Sequence, residues 1–191
     1  MLLILGVMFG FLSLYLYTRL SLAMLFNRVE ADLSHQLPRS AGAEVKRVAL
    51  DFGAASENPA LKALTTTRDP SIDDALNLMF TLLYQPNGYQ TVIDLGGKLS
   101  PTAIATRPEY WFYLAAAFGQ KHHALKLAEA DQPELDSARE NAMDCARRAV
   151  GIDPLFKSRL YNLAQFGGSD DDLADFSEDP EFLRIVGRPT L

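Results

Sequence analysis

Apolar side chains recur every three or four residues along SIDDALNLMFTLLY, the stretch from Ser71 to Tyr84. This spacing predicts an amphipathic helix whose apolar positions are Leu76, Met79, Phe80, Leu83 and Tyr84. Ser71 and Asp74 occupy capping-box positions, so the helix should begin there. The following QPNG should end it. YQTVIDLGGKL then predicts a second, weaker helix, because Gly96 and Gly97 lower its helix propensity.

Two later stretches differ in the size of their apolar side chains. EYWFYLAAAFGQ carries bulky aromatic residues, whereas ENAMDCARRAVGIDP carries alanines. Both predict helices: large side chains on the first would fill space between layers, and small ones on the second would let a neighbouring helix approach closely. The second helix should stop at its Asp-Pro, because proline cannot continue a helix and restricts the residue before it.

Two further helices are expected towards the C-terminus. LFKSRLYNLAQF predicts a helix that begins soon after the Asp-Pro. DFSEDPEFLRIVG predicts a short closing helix that begins at an Asp-Pro. Its apolar residues Phe182, Leu183 and Ile185 would cover the last apolar face. No stretch predicts a strand convincingly, so the expected fold class is all-α.

The helices repeat at a fixed interval. The pairs Leu76 and Tyr110, Phe80 and Leu114, and Tyr84 and Phe118 are each 34 residues apart, which is the tetratricopeptide period. WFYLAAAF resembles the first helix of such a repeat, and ARENAMDCARRAVGIDP resembles the second. The matching residues are Trp111, Leu114, Ala115 and Phe118 in the first helix and Ala142, Ala146, Ala149 and Pro154 in the second. The resemblance covers about residues 71–189 and implies a short α-solenoid of antiparallel helix pairs.

The chain departs from the family pattern in two places. Between Phe118 and Ala142 it is longer than a tetratricopeptide repeat allows, so KHHALKLAEADQPELDSA either lengthens both helices or forms an excursion between them. In the first repeat, Asn77 replaces the large aromatic residue and the second helix lacks its alanines.

The resemblance also implies a concave groove lined by the first helix of each pair. Its positions in this chain are Leu78, Leu82, Glu109, Phe112, Gln120, Ser158, Tyr161 and Gln165. This surface is rich in aromatic and amide groups and poor in positive charge. The expected partner is therefore an extended or helical protein segment with apolar anchors. Alternatively, Phe112 and Tyr161 are only core or stacking contacts.

The N-terminal segment predicts a membrane helix. LLILGVMFGFLSLYLY contains no charged residue, and LSLAMLF follows after Thr18 and Arg19. Residues 2–26 are thus expected to enter the lipid bilayer, with Arg19 snorkelling to the headgroups. A cleaved signal peptide ending near SLA is the alternative. Gly6 and Gly10 have the G-x-x-x-G spacing of helix-packing faces, although glycines recur by chance in such spans.

The domain organisation follows from these patterns. Residues 1–28 form the transmembrane or signal-anchor helix, 29–70 a juxtamembrane linker with short helices, and 71–191 the repeat domain with its closing helix. In the linker, VKRVALDFGAA is ambiguous between helix and strand. Basic residues follow the span and none precede it, which favours a cytoplasmic over a periplasmic soluble domain.

The charge and composition of the chain limit the classes of partner that it can bind. The formal net charge of −6, without a large basic block, argues against nucleic acid. Seven acids lie between Phe166 and Leu191, and this acidic stretch is interpreted as a solvated face with helix caps.

No residue pattern indicates catalysis. Cys145, the single cysteine, is expected to be a small buried side chain. His122 and His123 are adjacent and should point to different sides of a helix, which suits metal binding poorly. No metal site, cofactor or enzymatic activity is expected.

The sequence therefore predicts a single-pass, membrane-anchored scaffold that mediates protein–protein interaction at a bacterial inner membrane. An exported or periplasmic factor for envelope assembly or cofactor-protein maturation is one alternative. An accessory subunit of a larger membrane complex is another.

Overall fold

A computed structural model describes residues 47–48, 71–165 and 170–188 of the chain. The part from Ser71 onwards is all-helical, as predicted, with no strand among the described residues. Its six α-helices are α1 (Ile72–Leu83), α2 (Gly88–Leu99), α3 (Pro108–Leu127), α4 (Gln132–Ile152), α5 (Phe156–Leu163) and α6 (Pro180–Val186). Two short 3-10 helices, Ala103–Thr106 and Ala174–Phe176, precede α3 and α6.

The start of α1 and the turn after it follow from local chemistry. Ser71 and Asp74 form the predicted capping box in both directions. The chain then reverses at Asn87, whose φ of 56° lies in the left-handed region that asparagine tolerates. At Gly88, which begins α2, an added Cβ would overlap the carbonyl oxygen of Leu82. The turn therefore requires a glycine at this position.

The additional residues between Phe118 and Ala142 lengthen both helices. α3 has 20 residues and α4 has 21, so the excursion is not formed. A tight turn joins them, with Glu129 at a φ of 52° and the side chain of Asp131 capping α4. Residues with high helix propensity, such as alanine, leucine, lysine and glutamate, stand on both sides of the turn and explain this outcome. As predicted, α4 ends at the Asp-Pro, with Asp153 as its C-cap.

Small side chains form much of the interface at the centre of the domain. α3 and α4 make the most extensive helix pairing among the described elements, and α3 also contacts α1, α2 and α5. Alanines on both helices are almost completely buried: Ala115, Ala116, Ala117, Ala138, Ala142, Ala146 and Ala149. The phenol of Tyr110 donates a 2.7 Å hydrogen bond to the carbonyl oxygen of Gly96, which ties α3 to α2.

The short helix α6 closes the described chain as predicted. It begins at the Asp-Pro, and the Asp179 carboxylate accepts hydrogen bonds from the backbone of Glu181 and Phe182. Phe182 and Ile185 are buried, while Leu183 is half-buried. α6 packs against α4 and α5, so it covers the end of this helix group.

The predicted membrane segment and linker, including Gly6 and Gly10, lie outside the described residues. Within the described residues, no helix has the length and apolar character needed to cross a bilayer. The domain boundaries at residues 28 and 70 remain predictions.

Candidate binding surface

Five aromatic rings from three helices form a continuous row. We call this row the aromatic stripe; in spatial order it consists of Tyr84, Phe80, Tyr113, Phe112 and Phe156. The four successive centroid distances are 5.0, 5.8, 5.7 and 5.5 Å, and each pair is tilted or edge-to-face. Such geometry is favourable for aromatic pairs. The stripe connects α1, α3 and α5, the first helices of the predicted repeats.

Exposure varies along the stripe. Phe80 is 45% and Tyr84 is 60% exposed, whereas Phe112 and Tyr113 are half-buried and Phe156 is buried. Burial raises the pKa of Tyr113. The stripe therefore rests on the core at its α5 end and offers open aromatic surface at its α1 end.

Each end of the stripe carries a charged group. At the α1 end, the Tyr84 phenol donates a 2.7 Å hydrogen bond to Asp170. This hydrogen bond, with burial and the nearby carboxylates, raises the pKa of Tyr84 to about 12. At the α5 end, the guanidinium carbon of Arg159 lies 4.7 Å from the centre of the Phe156 ring, a cation–π distance.

The predicted groove residues are only partly brought together on this surface. Phe112 lies in the stripe, and Glu109 lies on the same helix, paired at 3.3 Å with Arg107. Leu78 and Leu82 are 6% and 0% exposed, so their expected groove-facing positions are core positions instead.

Gln120 contacts the chain itself. Its amide nitrogen donates to the carbonyl oxygen of Leu83 at 3.2 Å and to the Asp172 carboxylate at 2.8 Å. At the neighbouring Gly119, an added Cβ would overlap the carbonyl oxygen of Asp172. The C-terminal part of the domain thus crosses α3 at the position where the sequence analysis expected a partner.

The remaining predicted groove residues lie on or next to α5 and make local contacts. Ser158 donates its hydroxyl to the Leu155 carbonyl, and Gln165 donates to the Tyr161 carbonyl at 3.4 Å. Tyr161 is stacked under Arg188, whose guanidinium carbon lies 4.3 Å from the ring centre. None of these contacts involves a ring of the aromatic stripe.

The acidic residues after Ser169 are the predicted solvated face with helix caps only in part. Asp171 and Glu178 are exposed and Asp179 caps α6, but Asp175 and Asp179 also pair with cations of the domain. We call residues 170–188 the C-terminal segment. Asp175 accepts from Lys126 at 2.8 Å, and Asp179 receives two hydrogen bonds from Arg139 at 2.6 and 3.0 Å. Burial opposes ionisation of both carboxyls, but these hydrogen bonds outweigh it and lower the pKa of Asp175 and of Asp179.

His122 and His123 do not point to different sides. Their Nδ1 atoms lie 3.1 and 3.4 Å from the same carboxylate oxygen of Asp175. His122 also packs on Phe176, with ring centres 4.8 Å apart. Both histidines therefore face the C-terminal segment, an arrangement that adjacency in the sequence did not predict.

The described residues hold no group of three or more His, Cys, Asp or Glu side chains suited to a metal ion. A cavity of about 310 Å³ lies between the start of α2, α3 and the C-terminal segment, with Tyr89, Leu127 and Asp171 among its lining residues. Asp172 also lines it, and burial raises the pKa of that carboxyl.

Cys145 is buried, as predicted. The residue is 5% exposed, and burial raises the pKa of its thiol to about 12. Since the thiolate is the reactive form, this residue has the character of a packing side chain and not of a nucleophile.

Sequence reasoning missed six residues of this surface: Tyr84, Phe80, Tyr113, Phe156, Arg159 and Asp170. A signal existed for Phe80 and Tyr84, which are four residues apart on one helix and adjoin exposed polar positions, Asn77 and Thr81. Nothing local indicated that Asp170 would return to Tyr84 from 86 positions further along the chain.

Comparison with known proteins gives no assignment. No family model matches the chain. No curated protein and no solved structure matches it either.

Proposed function

We propose that this protein is a membrane-anchored, tetratricopeptide-like scaffold that binds a segment of a partner protein on its aromatic stripe. The observation that carries the proposal is the row of rings across α1, α3 and α5, in which Phe80 and Tyr84 are exposed at the α1 end. Contiguous exposed apolar surface marks interaction sites, and aromatic residues dominate the binding energy of protein interfaces.

The helical-repeat part of the proposal rests on the order and spacing of the helices. α1 with α2, and α3 with α4, follow one another as successive pairs, and α5 begins directly after the Asp-Pro that ends α4. The 34-residue interval between Phe80 and Leu114 has the tetratricopeptide period. In such arrays the first helices of the pairs line one surface, and the stripe runs along these helices.

The membrane part of the proposal rests on the sequence. The uncharged stretch at residues 2–17 and the apolar residues up to position 26 provide a single span. The protein would then present its binding surface next to the bacterial inner membrane, on the cytoplasmic side favoured by the basic residues that follow the span. We propose no catalytic activity.

A crosslinking pull-down from native membranes tests the proposal. Wild-type protein is compared with Phe80→Ala, which removes an exposed ring from the stripe. Leu127→Ala is the matched control, because Leu127 is 73% exposed and lies outside the stripe. We expect Phe80→Ala to lose one or more crosslinked partners that the control retains, while circular dichroism shows unchanged helix content. Equal recovery of every partner by both variants would contradict binding at the stripe.

A further inference from the structure

The two ends of the aromatic stripe carry opposite charges. Arg159 lies against Phe156 at one end, and Asp170 accepts the Tyr84 hydroxyl at the other. The four centroid steps between them are each between 5.0 and 5.8 Å. The stripe is therefore no longer than about six extended residues or about four helical turns.

These end charges are not neutralised within the part of the chain that the structure describes. No described carboxylate lies within ion-pair distance of Arg159, which lies over the Phe156 ring. In contrast, Arg139 pairs with Asp179 and Glu181. The carboxylate of Asp170 accepts a hydrogen bond from the neutral hydroxyl of Tyr84, and its neighbours Asp171 and Asp172 are also acidic.

Another arginine near the stripe is already paired with carboxylates of the domain. Arg107 lies 3.1 Å from Asp73 and 3.3 Å from Glu109. Burial disfavours its charge, but these two carboxylates outweigh that effect and raise the pKa of Arg107. Arg107 therefore has its carboxylates within the domain, whereas Arg159, at the α5 end of the stripe, has none within ion-pair distance among the described residues.

From this charge complementarity we infer that the stripe binds a protein segment of defined polarity. The segment carries apolar anchors for the rings, a carboxylate side chain at the Arg159 end and a cationic side chain at the Asp170 end. This inference rests on the proposed function, since it specifies the chemistry of the partner at the same surface. Opposite charges at the two ends fix the direction in which the segment lies and disfavour segments of the wrong sign.

Selection from a random twelve-residue peptide library tests the inference. The full chain in detergent micelles is immobilised as wild type, Arg159→Glu, Asp170→Asn and Phe80→Ala. Asp170→Asn keeps an acceptor for the Tyr84 hydroxyl while removing the charge. Arg184→Glu is the matched control, because Arg184 is an exposed arginine on α6, a helix that contributes no ring to the stripe. Circular dichroism and the thermal midpoint establish that each variant is folded.

We expect wild type and Arg184→Glu to enrich peptides with large apolar residues between an acid and a base. The peptides selected by Arg159→Glu should carry a basic residue in place of the acidic one. The peptides selected by Asp170→Asn should show no preference for a basic residue. For one enriched peptide, Arg159→Glu should weaken binding about threefold to fivefold, the size expected of an exposed ion pair.

The outcomes separate the inference from the proposed function. If wild type enriches apolar peptides that Phe80→Ala loses, but both charge variants select the same peptides as wild type, the polarity is refuted and the stripe remains the binding surface. If no peptide is enriched, or if Phe80→Ala enriches the same peptides, binding at the stripe is refuted as well.

Discussion

The α3–α4 pair and the C-terminal segment are held to the domain by different forces. The pair is joined through small apolar side chains, and Ala115, Ala142 and Ala149 are at most 1% exposed. The C-terminal segment combines a few apolar anchors, such as Leu173 and Phe182, with hydrogen bonds and ion pairs from its carboxylates to α1, α3 and α4.

Because different forces hold them, the α3–α4 pair and the C-terminal segment should respond differently to added volume, pH and salt. Close packing of small groups tolerates no added volume but is indifferent to pH and salt. Carboxylate contacts respond to protonation, and where they are exposed they are screened by salt. The α3–α4 pair should therefore stay packed when pH or salt changes. The C-terminal segment should detach more easily, through a change of pH or salt or through a substitution at its contacts.

The largest effect is expected where volume is added between α3 and α4. Ala142→Leu should lower the free energy of unfolding by about 3 kcal/mol, because the site has no space for three more carbons. Urea titration followed by circular dichroism measures it. Glu140→Leu is the control: this position on the same helix is exposed and should change stability by less than about 0.5 kcal/mol. Equal losses in the two variants would show that the interface is loosely packed.

Gly119→Ala should detach the C-terminal segment and lower the free energy of unfolding by roughly 2 kcal/mol. The new Cβ meets the Asp172 carbonyl oxygen, a backbone atom that moves only if the segment moves. Hydrogen exchange should therefore accelerate in residues 170–188 and remain slow in α3 and α4.

Gly97→Ala is the matched control for this prediction. A Cβ at Gly97 meets no atom within 4 Å, so this change should raise stability by about 0.5–1 kcal/mol through helix propensity. Unchanged exchange of the segment in Gly119→Ala would mean that the segment does not rest on α3.

Arg139→Gln should lower stability by about 1 kcal/mol. It removes the two-point contact with Asp179, the residue that caps α6. Arg147→Gln also loses a bond to the segment, through Glu181, but the Arg147 side chain is 51% exposed. Its loss should therefore be smaller. Thermal unfolding of the two variants gives the comparison, and the reverse order would contradict the assigned role of Arg139.

The smallest expected effect is a weakening of the C-terminal segment at acidic pH. The folded-state pKa values of Asp175 and Asp179 lie below the ordinary value. Their stabilisation is therefore complete above the unfolded pKa of about 3.9 and is lost as pH falls through the lower folded values. Asp172 acts in the opposite sense, because burial raises its pKa and protonation removes the cost of its buried charge.

The stability difference between pH 7 and pH 3 measures this weakening. It should be smaller in Arg139→Gln than in wild type, because Asp179 then loses the partner that lowers its pKa. Identical differences in the two proteins would mean that Asp179 is not coupled to Arg139 in solution.

The elements that sequence reasoning predicted correctly depend on neighbours in the chain. The capping box of α1 spans four residues, and the Asp-Pro signals at the end of α4 and the start of α6 act within one turn. The contacts that it missed join distant positions. Gln120 and Asp172 are 52 residues apart, and His122 and Asp175 are 53 apart. A carboxylate followed by polar residues looks the same in sequence whether it is solvated or paired.

The candidate surface shows the same limit. Helical periodicity placed Phe80 and Tyr84 on the apolar side of α1, together with Met79 and Leu83. It could not separate the rings that line a surface from the side chains that enter the core, because that depends on where α3 crosses. The family resemblance placed Leu78 and Leu82 in the groove for the same reason, whereas both are core positions.

The contact between Arg139 and Asp179 also has a consequence for how the chain folds during its synthesis. The two residues are 40 positions apart, so at ribosomal rates of about 5–20 residues per second, α4 waits a few seconds for the residues that cover it. During that interval the apolar side of α4 that α6 will occupy remains uncovered, and the guanidinium of Arg139 has not yet met its carboxylate. The nascent chain thus presents a surface that the finished protein hides, and a chaperone that recognises it has only this short period in which to bind.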